Sequence, residues 1–155
     1  MTLELITEAD ATIDALPNED DLLRWARAAL EKSGQWEVGL RIVGLEESRA
    51  LNRDYRGKDR ATNVLSFPFE LPPGVTSAML GEETVPLGDL VICAPLVEEE
   101  AATQGKPLLA HWAHLVVHGI LHLQGYDHVL DQDAEVMENQ ERRILATLGF
   151  QDPYA

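Results

Sequence analysis

The segment His118-Gly-Ile-Leu-His122-Leu-Gln-Gly125-Tyr126-Asp127-His128 constrains the fold more than any other part of the chain. Residues four apart share one face of an α-helix, one turn above another. His118 and His122 can therefore present their imidazoles side by side. Gly125 can take a positive φ, end that helix and reverse the chain, which returns His128 toward the same point. The spacing predicts a helix, a glycine turn and a three-histidine centre. Neutral imidazoles bind zinc at ~2.0–2.1 Å, and three of them leave one coordination position open, as in catalytic rather than structural sites. Water in that position ionises near neutral pH and becomes a nucleophile. The expectation is one Zn²⁺ per chain, held by His118, His122 and His128.

The same spacing matches the metzincin protease pattern H-E-x-x-H-x-x-G-x-x-H, with one departure. Gly119 stands where the peptidase keeps its water-activating glutamate. A zinc metallopeptidase stays an alternative, weakened by that loss. All five histidines fall between 111 and 128. His111 and His114 continue the helical face, and a nearby surface or supporting role is expected for them rather than ligation. Asp127 has two open readings. It orients a ligand histidine or takes a proton from the bound water, or it is a turn residue.

Around this centre the patterning predicts a single α+β domain over residues 1–155. The expected architecture is a small mixed sheet of about four strands with about five surrounding helices, the metal site lying on a helix of the C-terminal half and the turn after it. Strands are expected at 2–6, 36–43, 63–69 and 87–93, with Pro68 placing the third at an edge or a strand end. Helices are expected after Pro17-Asn18 with a stripe of Leu22, Leu23, Trp25, Ala26, Ala29 and Leu30, then at 46–55 with Leu45, Ala50 and Leu51 inward. Further helices are expected from Pro95 to Gln104, from Pro107 to about Leu123, and from about Asp133 to Leu148. Residues 70–86, rich in proline and glycine, read as an excursion or flap. The lone Cys93 cannot form an internal disulfide and fits a reducing compartment. The first residues lack the basic start of a signal peptide, and no apolar run nears the ~20 residues of a membrane span. A cytoplasmic protein that does not enter membranes is expected.

The net charge is −15, which normally repels nucleic acid. The cations are unevenly spread. Residues 41–60 hold six of the twelve (Arg41, Arg49, Arg53, Arg56, Lys58, Arg60) and four acids. Arg56-Gly57-Lys58 sets two cations around a flexible glycine. Such a loop can clamp a phosphate, with arginine forming two parallel hydrogen bonds, or it can be a solvated turn. Beside a metal centre, phosphodiester cleavage requires such a cation.

Together these residues resemble the YbeY family of bacterial endoribonucleases, also described as ribosomal RNA maturation factors. The resemblance rests on the histidine segment and on Tyr55-Arg56-Gly57-Lys58-Asp59. It also rests on Thr62-Asn63-Val64-Leu65-Ser66-Phe67-Pro68, Gly88-Asp89-Leu90-Val91-Ile92 and Gly149-Phe150-Gln151-Asp152-Pro153-Tyr154. It implies an α+β fold and zinc on His118, His122 and His128. It implies Arg56 as the critical cation beside the metal, with Lys58 helping to bind substrate. The implied activity is metal-dependent hydrolysis of single-stranded RNA in maturation of the small-subunit ribosomal RNA 3′ end and in ribosome quality control. The implied partners are ribosomal RNA, the small ribosomal subunit with its basic proteins, and a ribosome-associated GTPase such as Era. Acidic residues such as Glu98, Glu99 and Glu100 are candidate contacts to those basic proteins or simply a solvated helix face. A non-catalytic assembly factor with structural zinc is the remaining alternative.

Overall fold

The computed structural model describes residues 2–10, 12–13, 16–70, 73–75, 85–127 and 129–155. His128 and most of the proline- and glycine-rich excursion over 70–86 lie outside the described residues. The described elements run in the order β1 (Thr2–Ala9), α1 (Glu19–Ala29), β2 (Gln35–Val43), α2 (Leu45–Arg56), β3 (Val64–Pro68), β4 (Val85–Cys93), α3 (Ala94–Gln104), α4 (Leu108–Leu123) and α5 (Asp131–Thr147). The strands form one mixed sheet in the order β1-β2-β4-β3. β1 and β2, and β2 and β4, pair in parallel, whereas β3 runs antiparallel to β4. This is the expected α+β fold, and β3 takes the edge that Pro68 tolerates.

Alternation along the strands divides the core between the two faces of the sheet. Val38, Leu40, Ile42, Leu90 and Ile92 face α1 and α4. Val43, Leu65, Val91 and Cys93 face the other way, against Leu51 of α2, Phe67 and Leu96 of α3. Cys93 is buried, and burial pushes its thiol pKa up. α1 follows its expected stripe, with Asn18 capping it by accepting from the Asp21 amide at 2.8 Å.

α4 is the central helix. Ten of its side chains or glycine positions are buried, from His111 to Leu123, because it packs on the sheet, α1, α3 and α5. Its approach to β4 is close: a Cβ on Gly119 would stand 2.7 and 2.9 Å from the two Leu90 methyl carbons. Only glycine fits there without a shift of the Leu90 side chain.

One inward position expected from the sequence is corrected: Leu45, the first residue of α2, is 49% exposed. The buried face of α2 instead carries the polar Ser48 and Asn52, which are 1% and 2% exposed.

Candidate metal centre

His111, His114, His118 and His122 follow one another at spacings of three and four along α4, so they form a single ridge. Successive ring centroids lie 6.3, 6.2 and 4.6 Å apart. The closest pair is His118 and His122, whose planes stand at 80°. Two imidazoles one turn apart and nearly perpendicular can converge on one ion. The helix ends just beyond them. Gly125 has φ 104, its amide donates to the His122 carbonyl at 3.0 Å, and the Tyr126 amide donates to the Leu121 carbonyl at 3.1 Å. Any side chain at Gly125 would be strained at that φ.

The turn is anchored to α1. Gln124 Oε1 accepts from the amides of Glu31 at 2.6 Å and Lys32 at 3.2 Å, while Gln124 Nε2 donates to the Ala29 carbonyl at 2.7 Å. The Tyr126 hydroxyl donates to Glu31 Oε2 at 2.8 Å. Gln124 thus satisfies groups that the end of α1 leaves open, and it fixes the direction in which the chain leaves toward His128.

α5 supplies what the sequence reading missed. Its apolar stripe runs Met137, Ile144, Leu145, and Glu141 sits within that stripe with 0% exposure. Glu141 Oε1 lies 2.5 Å from His118 Nδ1, and Oε2 lies 3.2 Å from His114 Nε2. The Tyr154 hydroxyl also donates to Glu141 Oε2. Burial alone would raise the Glu141 pKa, but the hydrogen bonds from His114 and His118, the nearby His118 charge and the Tyr154 bond outweigh it and lower it to about 2. Tyr154 moves the opposite way, raised by burial and by the carboxylate that its hydroxyl serves. The signal in the sequence was a carboxylate standing where the helical stripe calls for an apolar residue.

His114, His118 and Glu141 each offer a ligand atom within 4.8 Å of the others, a donor set that can hold a metal ion. Of the surface or supporting role expected for His111 and His114, the surface half is corrected, and both rings bond to carboxylates. His111 is 4% exposed, and its Nε2 lies 3.0 Å from Glu100 Oε1. Glu100 in turn accepts from Asn63 Nδ2 at 3.1 Å, so it faces inward; Glu98 and Glu99 remain exposed. A cleft of about 410 Å³ opens along this ridge, lined by His111, His114, His118, Asn63, Lys106 and Tyr154 among others. Arg56 and Lys58 do not line it; Lys106 is the cation that does.

Arg56 ends α2, and Gly57 caps it with φ 70. The loop then folds back along α2. Asn52 Nδ2 donates to the Arg60 carbonyl at 2.8 Å, and Ser48 Oγ exchanges two bonds with Thr62, at 2.8 and 2.9 Å. Arg49 grips Asp59 through two nitrogens, at 2.7 and 3.0 Å. Arg41 pairs with Glu47 and Arg53 with Asp54. Among the described residues, no ion pair engages Arg56, Lys58 or Arg60. All three are exposed. The basic window is therefore a braced loop offering three uncommitted cations. α2, from which the loop leaves, packs through Leu51 on the face of the sheet opposite α4.

Residues 6–149 match the family described as Endoribonuclease YbeY. An Endoribonuclease YbeY of Methylococcus capsulatus is 56% identical over 149 residues, covering 96% of this chain and 94% of the relative. Another, of Alkalilimnicola ehrlichii, is 58% identical over 142 residues, covering 90% and 82%. The solution structure of TM1509 from Thermotoga maritima shares the fold, with a TM-score of 0.54, 24% identity and 97% of each chain covered.

Proposed function

The chain belongs to the YbeY endoribonuclease family, and from that premise we propose that it is a metal-dependent endoribonuclease of ribosomal RNA maturation, folded as one domain over residues 1–155. Its substrate on this reading is single-stranded RNA, chiefly the 3′ end of the small-subunit ribosomal RNA, with a further role in ribosome quality control. Its setting is the cytoplasm; among the described residues no helix is long and apolar enough to cross a membrane.

The observation that carries the metal assignment is the His118–His122 pair with Glu141 behind it. His118 Nδ1 is 2.5 Å from Glu141 Oε1, whereas two ligands of one tetrahedral zinc stand about 3.3 Å apart at bond lengths of ~2.0–2.1 Å. The contact supports a hydrogen bond between the two, in which Nδ1 serves the carboxylate and Nε2 would be the ligating nitrogen of His118. His122 is the neighbouring ligand, and His128, after the Gly125 turn, is the third. Bound zinc supplies Lewis-acid polarisation of the phosphoryl group and an activated water.

The chain's own groups do the rest. Arg56, with Lys58, clamps a phosphate of the substrate and offsets developing negative charge. Asp127 adjoins the third ligand and accepts a proton or orients that histidine. The peptidase alternative loses its geometry as well as its base. Position 119 faces the Leu90 methyl carbons, 2.7 and 2.9 Å from an added Cβ, so a glutamate there would require the Leu90 side chain to shift. Partners on this reading are ribosomal RNA, the small subunit with its basic proteins, and a ribosome-associated GTPase such as Era.

The test compares zinc-loaded and chelator-stripped protein on unstructured RNA and on unstructured peptide, with metal content of His118→Ala, His122→Ala and His128→Ala measured by elemental analysis. RNA cleavage by the loaded form only, and loss of metal in all three variants, are expected. Full metal content in two of the three variants rejects the ligand set.

A further inference from the structure

We infer that Glu141 is the positioning residue of the metal centre and that the Asp152–Tyr154 segment holds it in place, so that the end of the chain sets how strongly His118 binds metal. The inference rests on the ligand assignment proposed above. Glu141 is wholly buried, and a buried carboxylate persists only when its oxygens are met by donors. It meets three: His118 Nδ1, His114 Nε2 and the Tyr154 hydroxyl. A carboxylate can only accept. The proton between Glu141 and His118 therefore sits on Nδ1, which leaves the Nε2 lone pair for an ion and makes that nitrogen a stronger donor. His114 Nε2 lies 3.2 Å from the same carboxylate and 3.2 Å from the Tyr154 hydroxyl, so His114 joins this network.

The C-terminal segment is tied to α4, to α5 and to the turn that leads into α4. The Tyr154 hydroxyl lies between Glu141 and His114 Nε2, 3.2 Å from the latter. The Arg142 guanidinium lies 4.9 Å from the centre of the Tyr154 ring and pairs with Asp152 at 3.2 Å. Asp152 Oδ1 also accepts from the Tyr154 amide at 2.8 Å. Lys106, at the start of α4, donates to the Pro153 carbonyl at 2.6 Å. Tyr154 is 39% exposed, so its ring contributes little to the core. Its hydroxyl is the part with a partner, and that partner is the carboxylate behind His118.

The experiment measures zinc affinity of the full chain by competition with a chromophoric chelator, for wild type, Glu141→Gln, Tyr154→Phe and His118→Ala. Glu141→Gln keeps the size and an accepting oxygen but removes the charge, and should weaken zinc binding about ten- to a hundredfold. Tyr154→Phe keeps the ring, should leave the metal-free thermal midpoint near wild type, and should weaken binding several-fold. Cobalt(II) bound in place of zinc should show a shifted d–d spectrum in Glu141→Gln even at saturation, which a loss of stability alone would not produce. Wild-type affinity and an unchanged cobalt spectrum in both variants, with metal lost from His118→Ala, would overturn the inference and leave the family reading intact. If His122→Ala and His128→Ala keep zinc while Glu141→Gln loses it, Glu141 is itself a ligand, and both the inference and the ligand set fall.

Discussion

Replacing Gly119 by alanine tests the closest contact between α4 and the sheet. The added Cβ would lie 2.7 and 2.9 Å from the Leu90 methyl carbons and 3.4 Å from its Cγ, against an optimum near ~3.5–4.0 Å for carbon pairs. Leu90 is 1% exposed, so rotating one methyl away drives the other into its neighbours. Overpacking of this kind costs about 1–3 kcal/mol, while alanine in a helix interior contributes about 1 kcal/mol over glycine. Gly119→Ala should therefore lose roughly 1 kcal/mol, read as the urea midpoint of metal-free protein at constant slope. The thermal midpoint should fall by about 2–4 °C for each kcal/mol. The second arm removes the obstacle. Leu90→Ala alone should cost about 2–5 kcal/mol, yet Gly119→Ala made on top of it should stabilise by up to about 1 kcal/mol, because helix propensity then acts unopposed. The change of sign gives a coupling of about 1–3 kcal/mol between the two sites. Equal stabilisation in both backgrounds would refute the reasoning, and with it the claim that position 119 resists a larger side chain.

Other outcomes follow from the braced loop and the charge distribution. Arg56→Ala should keep its thermal midpoint, since exposed substitutions stay within about 0.5 kcal/mol, and should lose RNA cleavage in a gel assay; intact cleavage per folded molecule would remove Arg56 from the site. Asn52→Ala deletes a buried donor to the Arg60 carbonyl and leaves that acceptor unmet, which should cost about 1–3 kcal/mol by denaturation and speed amide exchange over residues 57–62. Binding to naked RNA should be weak, with a shallow salt slope set by a few phosphate contacts, and should tighten on an assembled small subunit; tight, steeply salt-dependent binding to naked RNA, unchanged by ribosomal proteins, would show that no protein docking is involved.

The elements were legible in the sequence because each carries its own period or punctuation. The Trp25 stripe, the apolar run at Leu87–Cys93, Pro95 and Gly105 around α3, and the glycine after His122 are local signals, and each is realised within a few residues. The histidine ridge was legible for the same reason, being a spacing within one helix. Glu141 and Tyr154 lie 23 and 36 residues beyond His118, and nothing local couples them to it. In α5 the glutamate sits among Glu138, Arg142 and Arg143, where it reads as one more solvated charge unless the stripe is followed through it. Ser48 and Asn52 were missed because their value is a hydrogen bond to a loop whose path only the folded chain defines. Leu45 failed in the opposite direction: an apolar residue at a helix start looked inward, but no layer lies above it.

The placement of β3 carries a consequence for substrate choice. It is the edge strand, and its first residue Val64, with the preceding Asn63, lines the cleft along the histidine ridge. On the proposed reading, a polymer held at Arg56 and cut at the ridge would have to bend from the loop into that cleft. Double-helical nucleic acid bends only over lengths approaching ~150 base pairs, and forcing tens of degrees into a short stretch costs several kcal/mol. An unpaired strand turns at each nucleotide at little expense. On that reading flexibility of the substrate, rather than any base that it carries, would decide whether both grips can be reached at once.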